Sequence, residues 1–135
     1  MAFTWTKELE TGNAQIDNEH KQLIQAINNL LAACSAGKGR NELAHTMDFL
    51  NQYTRTHFQH EQALQMKSGY PDYVNHKRLH DGFIKVVDNL SARLKAEGPT
   101  ILLVGEINNQ LGGWLVKHIK TEDVKVAKHV MSQKK

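Results

Sequence analysis

The sequence contains one cysteine, two prolines, few aromatic residues and no long apolar run. Because Cys34 is the sole thiol, an intramolecular disulfide and a thiolate metal site are both excluded. No stretch approaches the roughly 18 apolar residues that indicate a membrane-spanning helix. Residues 1–12 are polar and lack the apolar segment of a signal peptide, so we predict a cytoplasmic protein without a membrane span.

Length and charge indicate a single domain. A chain of 135 residues can bury a core, and we expect one domain over residues 1–135, with an N-terminal arm (1–12) and a helical bundle (about 13–131). The formal net charge is +3. Part of it comes from lysines near the C-terminal end, where lysine suits the helix dipole: Lys125, Lys128, Lys134 and Lys135. Since there is neither a basic stripe nor a nucleic-acid-binding motif, we do not expect nucleic acid as a partner.

Three breaks divide the chain after the arm into four helical segments. Glycine or proline occurs in each break, at residues 37–39, 68–71 and 98–100. Glycine after a helix and proline at its start are typical helix boundaries. We therefore predict helices over roughly 14–36, 41–66, 72–96 and 100–130. Each segment carries an apolar stripe at 3–4 spacing, and short connections favour antiparallel neighbours, which predicts an all-α, up-down-up-down four-helix bundle.

Histidine is unusually frequent, with eight in the chain, and five of them replace hydrophobic residues in the predicted apolar stripes. With two carboxylates they form a set of seven candidate metal ligands: His20, His57, Glu61, His76, His80, His118 and Asp123. In an up-down-up-down bundle all seven lie in one slab, roughly 6–18 Å from the same end. Buried carboxylates among imidazoles are strongly disfavoured without bound cations, so the sequence predicts a metal site in the core.

The number of ligands indicates two metal ions. Seven side chains exceed what one ion uses comfortably. If both carboxylates bridge and one oxygen atom is shared, one ion reaches about six bonds and the other about five, which leaves one open position. Imidazole and carboxylate ligands suit iron, although they also admit zinc and manganese.

The order and spacing of these residues resemble the hemerythrin family in its bacterial form. The matching motifs are Ile16-Asp17-Asn18-Glu19-His20-Lys21, His57-Phe58 with Glu61, His76-x3-His80, and His118-Ile119 with Asp123; the similarity covers nearly the whole chain, including Trp5 and Gly12. The resemblance implies a non-heme centre of two iron ions, bridged by an oxo or hydroxo group, that binds O2 reversibly. It also implies the ligand roles: His76, His80 and His118 for the saturated iron, His20 and His57 for the open iron, and Glu61 and Asp123 as bridges.

The resemblance further implies an apolar pocket over the open iron, lined by Leu23, Phe58, Trp114, Leu115 and Ile119. Because that wall offers no acid or base, we expect an O2 carrier, store or delivery protein and not an enzyme. Two alternatives remain open: a di-iron enzyme of the peroxidase or nitric-oxide-reducing type, and an O2 or redox sensor that acts through a separate partner. A partner enzyme that accepts the O2 is compatible with the first function, and we expect a monomer or weak oligomer.

One ligand spacing departs from regular helix geometry. His118 and Asp123 are five residues apart, about 140° around a regular α-helix, whereas Glu122 is the i+4 partner of His118. The family pattern selects Asp123. A local π-bulge would bring the two ligands onto one face.

Two further features have roles that the sequence does not decide. His60 follows His57 by three residues but lies off the stripe, so we predict a position at the surface or beside the ligands. Gly112-Gly113 falls within the last predicted helix, where glycine lowers helix propensity by about 1 kcal/mol. This pair indicates either close helix packing or a bend next to the site.

Overall fold

Four helices make up the computed structural model, which describes residues 3–37 and 40–133. They are α1 (Ala14–Ser35), α2 (Arg40–Ser68), α3 (Tyr73–Glu97) and α4, which covers residues 101–132 and changes pitch twice. The all-α, up-down-up-down bundle predicted from the sequence is confirmed. Within the described ranges no strand occurs.

The predicted helix limits agree with the structure to within two residues at every end. Residues 38 and 39 of the first predicted break, and Lys134 and Lys135 of the basic end, lie outside the described residues. Among the helices described, none combines the length and apolarity needed to cross a membrane.

Local side chains determine where two of the helices begin. The Asn13 side-chain oxygen accepts a hydrogen bond from the backbone N–H of Ile16 (3.0 Å), and the Thr100 hydroxyl accepts one from the backbone N–H of Leu103 (3.1 Å). Each bond satisfies an N–H group that the first helical turn leaves without a partner, which stabilises the helix by about 1 kcal/mol. At the end of α3, Gly98 adopts a φ of +77°, a conformation that residues with a Cβ atom rarely take.

Aliphatic side chains fill the half of the bundle that is remote from the predicted ligands. Seven of them are at most 1% exposed: Leu30, Leu43, Met47, Leu90, Leu94, Leu103 and Ile107. Burial of each such side chain contributes about 1.5–3 kcal/mol to folding. Helix α2 packs along both α1 and α3, so the core is continuous across the bundle. This aliphatic half allows the other half to contain polar residues.

Helix α4 contains two π-helical segments. Regular α-helix over Ile101–Ile107, Trp114–His118 and Val124–Ser132 alternates with π segments at Asn108–Gly113 and Ile119–Asp123. A π segment forms i→i+5 hydrogen bonds and therefore shifts the inward face by one residue. Leu103 and Leu115 are accordingly buried, whereas Val104 and Trp114, which a regular stripe placed inward, are only partly buried.

The N-terminal arm packs against α1 and α4. The Asn28 side chain binds the Phe3 backbone twice: its oxygen accepts a hydrogen bond from the Phe3 N–H, and its amide donates one to the Phe3 carbonyl, both at 2.8 Å. The Phe3 ring lies against Gly112, where a Cβ atom would collide with it. Close packing at Gly112 is therefore confirmed, but the partner is the arm and not a neighbouring helix. Leu9, in a single 3-10 turn (Lys7–Leu9), is also buried.

Candidate metal centre

The seven predicted ligands meet at one end of the bundle. They come from all four helices: His20 from α1, His57 and Glu61 from α2, His76 and His80 from α3, and His118 and Asp123 from α4. All seven are buried, with exposed fractions of 0–4%. Helices α2 and α3 each place two of them one turn apart, so both members of a pair project from the same face. The structure thus brings together every residue of the predicted set.

The second π segment of α4 positions Asp123. His118 immediately precedes Ile119–Asp123, and the i→i+5 geometry places Asp123 Oδ1 3.1 Å from His118 Nε2. Glu122 is directed away and lies 3.7 Å from the Lys125 ammonium group on the partly exposed side of the helix. The π-bulge predicted from the spacing is confirmed, and Asp123 is the carboxylate that faces the other predicted ligands.

The Glu61 carboxylate divides its two oxygen atoms between different histidines. Oε1 lies 2.8 Å from His76 Nε2 and 3.4 Å from His80 Nε2. Oε2 lies 3.3 Å from His57 Nε2 and 3.5 Å from His20 Nε2. One oxygen therefore faces the imidazoles of α3, and the other faces those of α1 and α2.

The Asp123 carboxylate repeats this division. Oδ1 lies 3.1 Å from Nε2 of both His76 and His118, and Oδ2 lies 3.0 Å from His20 Nε2. The ligand atoms fall into two groups, and within each group all atoms lie within 4.8 Å of one another. The three-histidine group contains His76, His80 and His118, the two-histidine group contains His20 and His57, and both groups contain Glu61 and Asp123. Each shared carboxylate thus offers one oxygen to each group.

Several atoms that face the centre of the cluster have no hydrogen-bond partner among the described residues. They are Nε2 of His20, His57 and His80, both Glu61 oxygens and Asp123 Oδ1: the distances are short, but the atoms are not aligned as hydrogen bonds. A buried polar atom without a partner costs about 1–3 kcal/mol. In addition, His76 Nε2 lies only 3.1 Å from His118 Nε2, so two ring nitrogens are directed at the same space. Because imidazole nitrogen and carboxylate oxygen are common ligands of divalent metals, these residues fit a metal centre.

Without a metal, protons balance the buried carboxylates. Burial by itself lowers the pKa of His20, but Asp123 and Glu61 outweigh it and raise that pKa to about 9. The pKa of His76, between the same two carboxylates, also rises to about 9 against the effect of burial. For His80, burial prevails over the influence of Glu61 and lowers the pKa to about 4. Since protons and metal ions compete for the same nitrogen atoms, metal binding is expected to release protons.

A second layer of polar side chains orients two of these histidines. His57 Nδ1 donates a hydrogen bond to Glu19 (2.7 Å), and the other Glu19 oxygen lies 2.8 Å from His60 Nδ1. The Gln62 side-chain amide lies 3.1 Å from His80 Nδ1. Such contacts fix the ring so that Nε2 faces the cluster. Burial would raise the pKa of Glu19, but the hydrogen bonds from both histidines lower it to about 2.

Glu19 and Gln62 are not among the site residues predicted from the sequence. Glu19 adjoins His20 in the matched motif, but its partner His57 is 38 positions away on another helix, so the motif alone does not reveal the contact. The signal for Gln62 is its place beside Glu61, one position off the inward stripe. The His60 side chain is 47% exposed and contacts Glu19, which agrees with a position at the surface beside the ligands.

The five residues predicted to form an apolar pocket have two kinds of environment. Four are at most 2% exposed and belong to the continuous core: Leu23, Phe58, Leu115 and Ile119. Trp114 is partly exposed, and its indole stacks on the rings of His118 (centroids 4.4 Å apart) and Phe83 (4.2 Å). The Phe58 ring stacks on His80 at 3.7 Å. Aromatic rings therefore pack on two imidazoles of the three-histidine group.

Comparison with known proteins gives consistent matches over most of the chain. The family profile described as the hemerythrin HHE cation binding domain matches residues 11–130. The chain is 35% identical over 135 residues to a bacteriohemerythrin of Pseudomonas paraeruginosa, which covers 97% of this chain and 85% of that protein. It is 32% identical over 123 residues to hemerythrin subunit 2 of Golfingia vulgaris, which covers 91% and 89%. A crystal structure of wild-type hemerythrin superposes with a TM-score of 0.83 at 27% identity, over 96% of this chain and 98% of that one.

Proposed function

The chain belongs to the hemerythrin family, and from this premise we propose that it binds O2 reversibly at two non-heme iron ions, as a carrier, store or delivery protein. The family binds O2 and non-heme iron. The observation that supports the proposal most directly is the division of the Glu61 and Asp123 oxygens between two groups of histidines. A single ion would leave one oxygen of each buried carboxylate without a cation, whereas two ions would engage both oxygens.

The two groups differ in a way that suits them to different roles. The three-histidine group offers five protein ligands and the two-histidine group offers four. An ion held by the two-histidine group therefore retains more open coordination, and we assign O2 binding to that ion. Bound ferrous ions would supply the electrons and the open coordination position that O2 binding requires.

The surrounding residues orient the ligands and exclude water. Glu19 holds the His57 ring through Nδ1. Leu23 follows His20 by three residues and Ile119 follows His118 directly, and both aliphatic side chains are at most 1% exposed. Side chains of this kind bring no proton donor to a bound gas, which favours release of O2 over its reduction. This composition supports a binding protein in preference to an enzyme.

Absorption spectroscopy of the ferrous protein tests the proposal. Protein loaded anaerobically with iron should bind about two ions per chain, develop a new spectrum under O2 and lose it on purging with argon. His20→Ala should abolish the O2-dependent spectrum. The matched control is His45→Ala, at an exposed histidine of α2, which should behave like wild type. Irreversible oxidation at the first exposure to O2, or one ion per chain that His20→Ala leaves in place, would contradict the proposal.

A further inference from the structure

A small cavity lies beside the shared carboxylates at the end of the bundle. Its lining residues are Thr11 and Asn13 of the arm region, Ile16 of α1, Glu61 and Leu64 of α2, and Asp123, Val126 and Ala127 of α4. The centre of a water-sized sphere can occupy about 10 Å³ of it, which is room for roughly one water molecule or one diatomic gas molecule. The wall between the carboxylates and the arm is aliphatic. The cavity therefore connects the region under the arm with the candidate metal centre.

The cavity approaches the two-histidine group. Ile16 precedes His20 by four residues, so it lies one turn nearer the bundle end on the same face of α1. Leu64 follows Glu61 by three residues and has the same relation to it on α2. The described lining comes from the arm region, α1, α2 and α4, and not from α3, which supplies two members of the three-histidine group. A molecule in the cavity is consequently on the side of the cluster to which we assign O2.

The turn formed by residues 11–13 covers the outer end of the cavity. Asp17 accepts hydrogen bonds from the Thr11 N–H (2.9 Å), the Thr11 hydroxyl (2.6 Å) and the Gly12 N–H (3.4 Å). The Asn13 N–H in turn donates a hydrogen bond to the Thr11 hydroxyl oxygen (3.2 Å). The turn is thus held by one partly exposed carboxylate at the start of α1, and it can separate from the cavity while the helices stay in place.

A gas needs such a path because the aliphatic residues around the ligands leave little space. Leu23, Leu115 and Ile119 are 0–1% exposed and belong to the continuous core. An apolar cavity of this size admits a neutral gas readily. An anion would lose its hydration among aliphatic side chains and would meet the carboxylates of Glu61 and Asp123, which carry charge of the same sign.

We propose that this cavity is the access route by which a small apolar gas reaches the two-histidine group, with the turn at residues 11–13 as its cover. The identity of the gas as O2 rests on the proposed function. The ability of the cavity to take up a gas does not, because the cavity is formed by the protein alone.

Xenon is a suitable probe of the cavity in the metal-free protein. The methyl resonances of Ile16, Leu64 and Val126 should shift when xenon is added in an NMR titration. Ala127→Ile, which fills the cavity, should abolish these shifts. The matched control is Ala26→Ile, because Ala26 is equally buried (6% exposed, against 7% for Ala127) but is not a lining residue. If the methyl groups do not respond, or if the two variants respond alike, the gas site is overturned.

The rate of O2 association with the iron-loaded protein tests the route. Ala127→Ile should slow association several-fold at unchanged iron content, and Asp17→Ala should accelerate it by releasing the turn. Should Ala127→Ile fail to fold, as judged by circular dichroism, the result for Asp17→Ala decides alone. Xenon binding together with unchanged association rates would overturn the route. If the wild type takes up xenon but does not bind O2 reversibly, the proposed function fails separately, and the rate of nitric oxide association with the same variants then decides the route.

Discussion

Replacement of Asp123 by alanine should remove about one metal ion per chain, whereas the same change at Glu122 should remove none. Asp123 contributes Oδ1 to the three-histidine group and Oδ2 to the two-histidine group. Its loss lowers the number of protein ligands from five to four in the first group and from four to three in the second. Four protein ligands are typical of a closed site and three of an open one, so the two-histidine group should lose its ion first.

The metal-free protein should also distinguish these two carboxylates. Asp123 is buried and is the nearest carboxylate to His20, whose pKa it helps to raise to about 9. Removing one member of a buried ion pair leaves the other unpaired, and we expect a loss of up to about 3 kcal/mol at neutral pH. Glu122 faces Lys125 on the partly exposed side of α4, where a pair contributes about 0–1 kcal/mol.

The assay combines metal content with unfolding. Inductively coupled plasma mass spectrometry of protein from iron-replete cells should give about two ions for wild type and Glu122→Ala, and about one for Asp123→Ala. Urea unfolding of the three metal-free proteins, followed by circular dichroism, should rank Asp123→Ala as the least stable. Full metal content in Asp123→Ala together with loss in Glu122→Ala would refute the reasoning, because it would mean that α4 is regular and that Glu122 is the ligand.

Three further perturbations test other parts of the site. The metal-free protein should be more stable at pH 6.5 than at pH 9, because His20 and His76 keep their protons up to about pH 9 when folded but only up to about pH 6.5 when unfolded. This contribution is complete below pH 6.5 and is lost as the pH rises through 9, so a urea midpoint that increases over this range would contradict the assignment. Glu19→Gln should weaken metal binding about 10- to 100-fold in competition with a chelator, whereas Glu10→Gln, at an exposed glutamate, should match wild type; equal affinities would mean that the Glu19 charge is not needed. Ile119→Glu should keep its iron but shorten the lifetime of the O2-loaded protein by supplying a proton donor, with Ile119→Leu as the control; equal lifetimes would show that residue 119 does not face the bound gas.

The features that could be predicted from the sequence depend on signals within one helix. The positions of Gly98 and Thr100 indicate a helix boundary without reference to other helices. The 3–4 spacing of apolar residues selects the inward face, and the five-residue separation of His118 and Asp123 indicates the π-bulge between them. Convergence of the candidate ligands then follows from the antiparallel order of the helices.

The features that could not be predicted depend on how the elements pack. The contact of Phe3 with Gly112 joins residues that are far apart in sequence, and no helical periodicity relates them. The first π segment, Asn108–Gly113, contains no pair of ligands whose spacing would indicate it. The contact between Glu19 and His57 requires a particular rotation of α1 about its axis relative to α2, which the apolar stripe defines only approximately.

The two π segments also bear on which lengths of α4 the fold can accept. Deletion of one residue from a regular helix turns everything beyond it by about 100°, so a deletion within α1, α2 or α3 would turn part of the apolar stripe towards solvent. Each π segment of α4 instead holds one residue more than a regular helix needs for the same span. Deletion of Lys120 would leave His118 and the carboxylate after it one turn apart, which is the spacing that His57 and Glu61 already have. Among the four helices, α4 is thus the one in which single-residue insertions and deletions can be absorbed without moving a ligand away from its partners.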